Sequence, residues 1–409
     1  MTKIAQKPNE ASESSPTISA KAFIDDEKEV FRDHWHLHPC LGGNIGINAV
    51  EAWQALGYLK DKAGDHIGDV KVAIIDSGVD VDHPSLKDGS TTKGKCLVAR
   101  SYDVFANERQ QNASQGPQRP LSSRLDHVLS DQATRIRPKE AVCNKHDPHG
   151  TALAGIVAAR PTKGGVIGVA PYSKIVPIRA NAAFDPETLI HAIEFAASEA
   201  DVILLTRTLP YTKELEETVV RVASQVPVIC AAGNNGTRGL VFPASLPQTI
   251  GVGACNNKGY RSTYSQYGDG LDVVAPSNDV PMFTRDIERQ EDDERLGDRA
   301  IETTDNRAPN GYNADSDYCR ADHGFPFGGT SAAAAQVAGV VALMLSVAPG
   351  VPSAQIKSCL RETARDDVLR RDGNRNGEFG FGLVDAGKAV ANVVSGTSQP
   401  VAAPRKSTP

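Results

Sequence analysis

The chain is expected to fold as an α/β protein with a mostly parallel sheet and helices on both of its faces. Three observations predict this. Short runs rich in Val, Ile and Leu recur at 71–75, 97–100, 174–178, 201–206, 226–230, 249–253 and 272–274. Helix-like stretches at 149–159, 186–199 and 213–224 lie between several of them. The runs are also continuously apolar rather than alternating, the pattern of strands buried on both faces.

Along the chain, residues 1–30 are polar and rich in Ser, Glu and Lys, and read as a mobile N-terminal arm. Ile47, Val50, Trp53, Leu56 and Leu59 then recur at near-helical spacing. The strand and helix alternation follows. Beyond residue 330 come two helices, at about 331–347 and 352–363, then a turn-rich segment and a last short helix near 384–394. Residues 103–145, rich in Gln, Ser and Arg, and 277–322, which include Glu288-Arg-Gln-Glu-Asp-Asp-Glu-Arg295, break the rhythm and read as irregular insertions. One domain is therefore expected over 31–392, followed by a disordered tail at 393–409.

The 40% apolar content is enough for a sizeable core. The formal net charge is −6 with the charges scattered, which does not suit nucleic acid as a partner. No stretch reaches 18 apolar residues, so no membrane span is expected. Residues 1–10 have no apolar core of a secretory signal. The seven cysteines are an odd, widely spaced set that forms neither a disulfide framework nor a CxxC zinc pair. A reducing, cytoplasmic location is expected, with neither cofactor nor metal.

Three segments carry chemistry. In Val72-Ala-Ile-Ile-Asp-Ser-Gly-Val-Asp80, four apolar residues form a strand that delivers Asp76 at its carboxyl end, where functional groups of such sheets collect. In His149-Gly-Thr-Ala-Leu-Ala-Gly-Ile-Val157 a histidine opens a helix of small residues, with His146 as a rival three positions upstream. In Gly328-Gly-Thr-Ser-Ala-Ala-Ala-Ala335 a flexible turn leads to Ser331 at the start of an Ala-rich helix, the positive end of its dipole. Taken singly, each also fits a plain structural role: Asp76 as a turn residue, His149 as a surface or capping residue, Ser331 as a helix cap. Taken together they run Asp, His, Ser in the chain order of one known triad arrangement.

The words around these residues resemble those of the subtilisin-like, or subtilase, family. Asp-Ser-Gly, His-Gly-Thr and Gly-Thr-Ser-x-Ala match its three triad segments. Trp35-His-Leu37 with Gly46-Ile-Asn48 and Ala52-Trp53, Gly165-Val-Ile-Gly-Val-Ala-Pro171, Ala231-Ala-Gly-Asn-Asn-Gly236, Pro243-Ala244, Val252-Gly-Ala254, Val274-Ala-Pro276 and Gly380-Phe-Gly-Leu-Val-Asp-Ala386 are further family-like words. The resemblance implies a three-layer subtilisin-like fold and a serine endopeptidase acting on polypeptides. Ser331 would be the nucleophile, His149 the general base and then acid, and Asp76 the group that orients the imidazole. Asn234 and the Ser331 N–H would form the oxyanion hole. A transpeptidase, or an inactive or partner-activated binding module on the same fold, are the rival readings.

Some words depart from the family. Thr206-Arg-Thr-Leu-Pro210 stands where members usually carry a Ser-Leu-Gly-Gly-like word, so side chains there are expected to narrow that cleft wall or redirect the incoming peptide. Ala335-Gln336 replaces the usual Pro-His and Ala152 a second histidine, changes expected to affect packing. The segment before Gly165 is too short for the calcium loop of secreted members. Asp372-Gly-Asn-Arg-Asn-Gly377 reads as a polar turn, because the twelfth position of an EF-hand falls on Leu383. His34, His36 and His38 would share one face of an extended strand, where they either hold a metal or simply belong to the Trp-His-Leu word. The arm is too short for a folding pro-domain, in keeping with an intracellular member. The two insertions precede His149 and Ser331, so a lid or a contact for a regulatory protein partner is expected there.

Overall fold

A computed structural model describes residues 33–57, 70–87, 102–103, 147–180, 185–279, 295, 297, 299–320, 326–370 and 377–397. The N-terminal arm, His146, the 97–100 run, nearly all of the first insertion and the 372–376 turn lie outside the described residues.

Seven parallel strands form the central sheet: β3 (Lys71–Asp76), β4 (Tyr102–Asp103), β5 (Lys174–Arg179), β6 (Val202–Leu205), β7 (Val228–Ala231), β8 (Ile250–Cys255) and β9 (Leu271–Pro276). Their spatial order is β4-β5-β3-β6-β7-β8-β9. From β5 the chain crosses β3 to reach β6 and then winds outward, so the direction of winding reverses beside β3. A crevice at the carboxyl ends of the strands is expected at such a reversal. Asp76 ends β3 there.

The strands β3, β6 and β7 feed two cores by their two-residue period. Val72 and Ile74 join Val202, Leu204, Ile229 and Val252 on one face. Ala73 and Ile75 join Ile203, Leu205, Val228 and Cys230 on the other. The second face is covered by α3 (Pro186–Glu199) and α4 (Lys213–Ala223), through Leu189, Ile193, Leu215 and Val219. Both helices start as their residue types dictate. Asp185 Oδ1 accepts from Thr188 N at 3.1 Å ahead of Pro186 in the first turn, and Thr212 Oγ1 accepts from Leu215 N at 3.2 Å.

The first face is covered by α2 (His149–Ala158) and α5 (Gly329–Val347), flanked by α1 (Ala49–Ala55), α6 (Ser353–Thr363) and α7 (Ala386–Thr397). Helix α5 is long and apolar enough to cross a membrane, but 89% of its apolar window is buried inside the protein. An all-apolar helix of this kind is a core helix. Helix α7 runs to Thr397, three residues past the expected end, with Val393 buried on the core.

Two expectations are corrected. Residues 35–37 form a 3-10 turn rather than an extended strand, so the alternation that would align His34, His36 and His38 is lost. His34 Nε2 accepts from Ile167 N at 3.4 Å, and burial together with the two flanking histidines holds the His36 imidazole well below its ordinary range. Among the described residues, no group of three or more His, Cys, Asp or Glu side chains is placed to hold a metal ion. A short hairpin, β1 (Cys40–Leu41) with β2 (Asn44–Ile45), follows the turn.

The second insertion is also more ordered than its composition predicts. Its later part carries an antiparallel pair, β10 (Thr303–Thr304) with β11 (Tyr318–Cys319), laid on the start of α2. Thr303 Oγ1 donates to Ala152 O and Thr304 Oγ1 to Thr151 O, both at 2.7 Å, while Thr151 Oγ1 donates to Asn306 Oδ1 at 2.6 Å. The charged run hides this because the contacts are made by Thr303, Thr304 and Asn306, which follow it. Hydroxyls laid on a helix carry no hydrophobic period.

His83 joins the same segment to the loop after β3. Its Nδ1 accepts from Ser85 N at 3.0 Å, which leaves Nε2 to donate to Asp317 O at 2.8 Å. The ring is fully buried, and that burial pushes its pKa down from 6.5 to about 4 against the opposing pull of Asp317. Between these values the unfolded chain binds a proton that the folded chain refuses. Stability therefore falls as pH drops from above 6.5 towards 4, by up to about 3 kcal/mol from this group. Denaturant unfolding at pH 7 and pH 5 should show a smaller loss for His83→Gln than for the wild type. Equal losses in the two proteins would refute the assignment.

Candidate active site

Asp76 is fully buried and its carboxylate is saturated with donors. Oδ1 accepts from Ser77 N (2.8 Å), His149 Nδ1 (2.8 Å) and Arg207 Nη2 (3.2 Å). Oδ2 accepts from Thr206 Oγ1 (2.9 Å) and Arg207 Nε (3.1 Å). Burial alone would raise its pKa, but the imidazole of His149 and the guanidinium of Arg207 hold it far below the usual carboxylate range. These contacts favour the anion, so His149 presents Nδ1–H to it and leaves Nε2 free of that proton.

His149 is the first residue of α2, and the local sequence puts it there by close approach. A Cβ on the next residue, Gly150, would lie 2.2 Å from the carbonyl oxygen of Gly78. Only glycine lets the helix start come that near the turn after β3. Gly150 N donates to Ser77 Oγ at 3.0 Å and Asp80 N to Thr151 Oγ1 at 2.9 Å, so turn and helix are stitched together from both sides. The imidazole packs beside Phe327, ring centres 5.4 Å apart.

Phe327 leads directly into the turn that presents Ser331. Gly329 has φ +83°, which favours glycine. Its N–H donates to Tyr264 Oη at 3.1 Å and its carbonyl accepts from Ser277 Oγ at 3.0 Å. Thr330 donates through N and Oγ1 to Asn234 Oδ1, both at 2.9 Å. With the Gly329 and Thr330 N–H groups taken, Ser331 N–H has no acceptor among the described residues and remains as a donor of the first turn of α5. Asn234, just beyond β7, is fixed through its carbonyl oxygen, and its Nδ2 has no hydrogen-bond partner among the described residues.

The structure thus brings Asp76 and His149 into direct contact, and places Asn234 against the residue preceding Ser331. Ser331 is almost wholly buried, at 5% exposure. Among the described residues its hydroxyl makes no hydrogen bond, to His149 or to any other group. Contacts between a nucleophile and its base are commonly long before substrate binds and tighten afterwards.

Three residues escape the sequence reading. Thr330 orients Asn234, Thr206 donates to Asp76, and Asp147 accepts from Arg207 Nη2 at 3.0 Å and from His149 N at 3.3 Å. Thr206 and Arg207 turn onto the Asp76 carboxylate, and Leu209 is buried in the core under the second face. The only signal for this was the mismatch with the Gly-rich family word. Gln336 and Ala152 are packing residues: Gln336 Nε2 donates to Pro276 O at 2.7 Å, and Ala152 is fully buried.

Residues 68–382, which span both the sheet and the site, match the subtilase family. The chain belongs to the subtilase family. A calcium-dependent protease of Nostoc sp. (strain PCC 7120 / SAG 25.82 / UTEX 2576) is 28% identical, the match covering 92% of this subtilase and 53% of the relative. A subtilisin of Bacillus pumilus is 30% identical, over 72% of this chain and 83% of that protein. Among solved structures, a protease from Pseudoalteromonas arctica PAMC 21717 superposes with a TM-score of 0.60 at 25% identity, covering 88% of this subtilase and 97% of the other chain. The fold is accordingly subtilisin-like. The chain spans about half the length of the calcium-dependent proteases that it matches.

Proposed function

We propose that this subtilase is a serine endopeptidase that cleaves polypeptides through an acyl-enzyme on Ser331. The observation that carries the reading is the buried, ionised Asp76 bonded at 2.8 Å to His149 Nδ1. That contact fixes the tautomer in which Nε2 can accept a proton. Family membership and the names of the protease relatives support the same reaction class.

In the proposed cycle, His149 takes the Ser331 proton as Oγ attacks the scissile carbonyl carbon. Asp76 stabilises the imidazolium without taking its proton. The carbonyl oxygen, now an anion, receives hydrogen bonds from Asn234 Nδ2 and Ser331 N–H. His149 returns the proton to the leaving amine, and water repeats the sequence in reverse to release the acid. The Cys230 thiol takes no part: burial pushes it up to about 12. The free thiols of Cys230, Cys255, Cys319 and Cys359, all buried, suit a reducing compartment, and the cytoplasm is the proposed location.

A peptide library incubated with the purified protein should yield fragment pairs with new free amino and carboxyl ends, read by mass spectrometry. Rejoined or cyclised products would instead assign a transpeptidase, and no product at all would argue against the proposal.

A further inference from the structure

The Asp76 carboxylate meets more positive charge than the orientation of one imidazole requires. His149 Nδ1 takes Oδ1, while Arg207 spans both oxygens through Nε and Nη2 at 3.1 and 3.2 Å. The guanidinium is held from its other side by Asp147 Oδ2 at 3.0 Å. Asp147 sits two residues before His149 and accepts that residue's N–H at 3.3 Å. A chain of contacts through Asp147, Arg207 and Asp76 therefore links a fixed cation and two carboxylates to His149. The Arg207 and Asp147 side chains are 32% and 33% exposed, whereas Asp76 has no exposure at all.

Building on the triad reading above, we infer that Arg207 is a positioning residue that sets the pH range of activity by sharing the charge of Asp76 with the imidazolium. The base must be neutral to take the Ser331 proton. A guanidinium on the same carboxylate disfavours the protonated ring by like-charge repulsion, while Asp147 acts in the opposite sense. The other titratable groups around the ring leave this balance in place. The phenol of Tyr312 is kept protonated by burial and by Asp147 and Asp76. Asp80, in the turn against α2, has its charge taken up by Arg307 at 2.9 Å. Arg207 thus extends activity to lower pH.

The test is kcat/KM against pH on one peptide substrate for the wild type, Arg207→Gln, Arg207→Lys and Asp147→Asn. Unfolding midpoints and fluorophosphonate labelling of Ser331 are measured on each protein. The acidic limb should move up by about one pH unit in Arg207→Gln, the size expected for one unit charge a few ångströms away under partial screening. It should return most of the way in Arg207→Lys and move down in Asp147→Asn. A purely structural role lowers kcat/KM equally at every pH and gives no opposed movement. A limb in Arg207→Gln that coincides with the wild type overturns the inference. If that variant does not fold, Asp147→Asn decides alone, and a limb that stays or rises overturns it. Labelling that does not require Ser331 would mark a different failure, that of the triad reading itself, and this inference would fall with it.

Discussion

Ser331→Ala is expected to abolish turnover and covalent labelling by fluorophosphonates while the protein stays folded. The loss in kcat should be about 10⁶, the size that removing the nucleophile has in subtilisin itself. Nothing else near the site replaces it. Thr330 Oγ1 is committed to Asn234, and Ser77 Oγ accepts from Gly150 N. The fold should survive, because the Ser331 hydroxyl makes no hydrogen bond among the described residues, so no buried partner is left unsatisfied. The unfolding midpoint should therefore match that of the wild type. Labelling that persists undiminished in this variant would move the nucleophile elsewhere and end the proposal.

Asn234→Ala is expected to lower kcat by about 10²–10³ with KM little changed, the magnitude known for such a donor in subtilisin. The reason lies in the direction of the amide. Its Oδ1 is held by two bonds from Thr330, so the Nδ2 group is fixed in place without being consumed. A donor prepared in this way stabilises charge that develops only in the transition state, which is why kcat rather than KM should respond. A change within a few-fold would leave the oxyanion to Ser331 N–H alone and remove Asn234 from the mechanism.

Both variants are also to be read against Arg207. A charged side chain on the orienting carboxylate makes activity depend on pH through the Arg207–Asp147 pair as well as through His149. Kinetic comparisons among the variants therefore belong at one pH, well above the acidic limb.

Much of this was legible in the chain. The continuous runs at 71–75, 174–178 and 226–230 mark strands buried on both faces, and each pairs in parallel as expected. Asp76, His149 and Asn234 stand at the ends of elements whose period is plain in the sequence. The hairpin at 303–319 was not legible. Its strands are two residues long, and they hold α2 by threonine hydroxyls donating to carbonyls, a pattern with no hydrophobic signature. Nor was the fate of Arg207. As a word, Thr206-Arg-Thr reads only as bulk where glycine is usual. Its meaning comes from a carboxylate 131 positions earlier in the chain.

By itself, then, the sequence determined the parallel sheet, its two-sided burial and the pair Asp76 and His149 that meets at its carboxyl edge. Those features follow from local periodicity and from short words in which each residue is constrained by its immediate neighbours. The tertiary structure alone decided which charges share one carboxylate, how Asn234 is turned, and that part of a charged insertion braces the histidine helix. Such features depend on distances of a few ångströms between segments remote along the chain, and electrostatic and hydrogen-bond energies change steeply over that range.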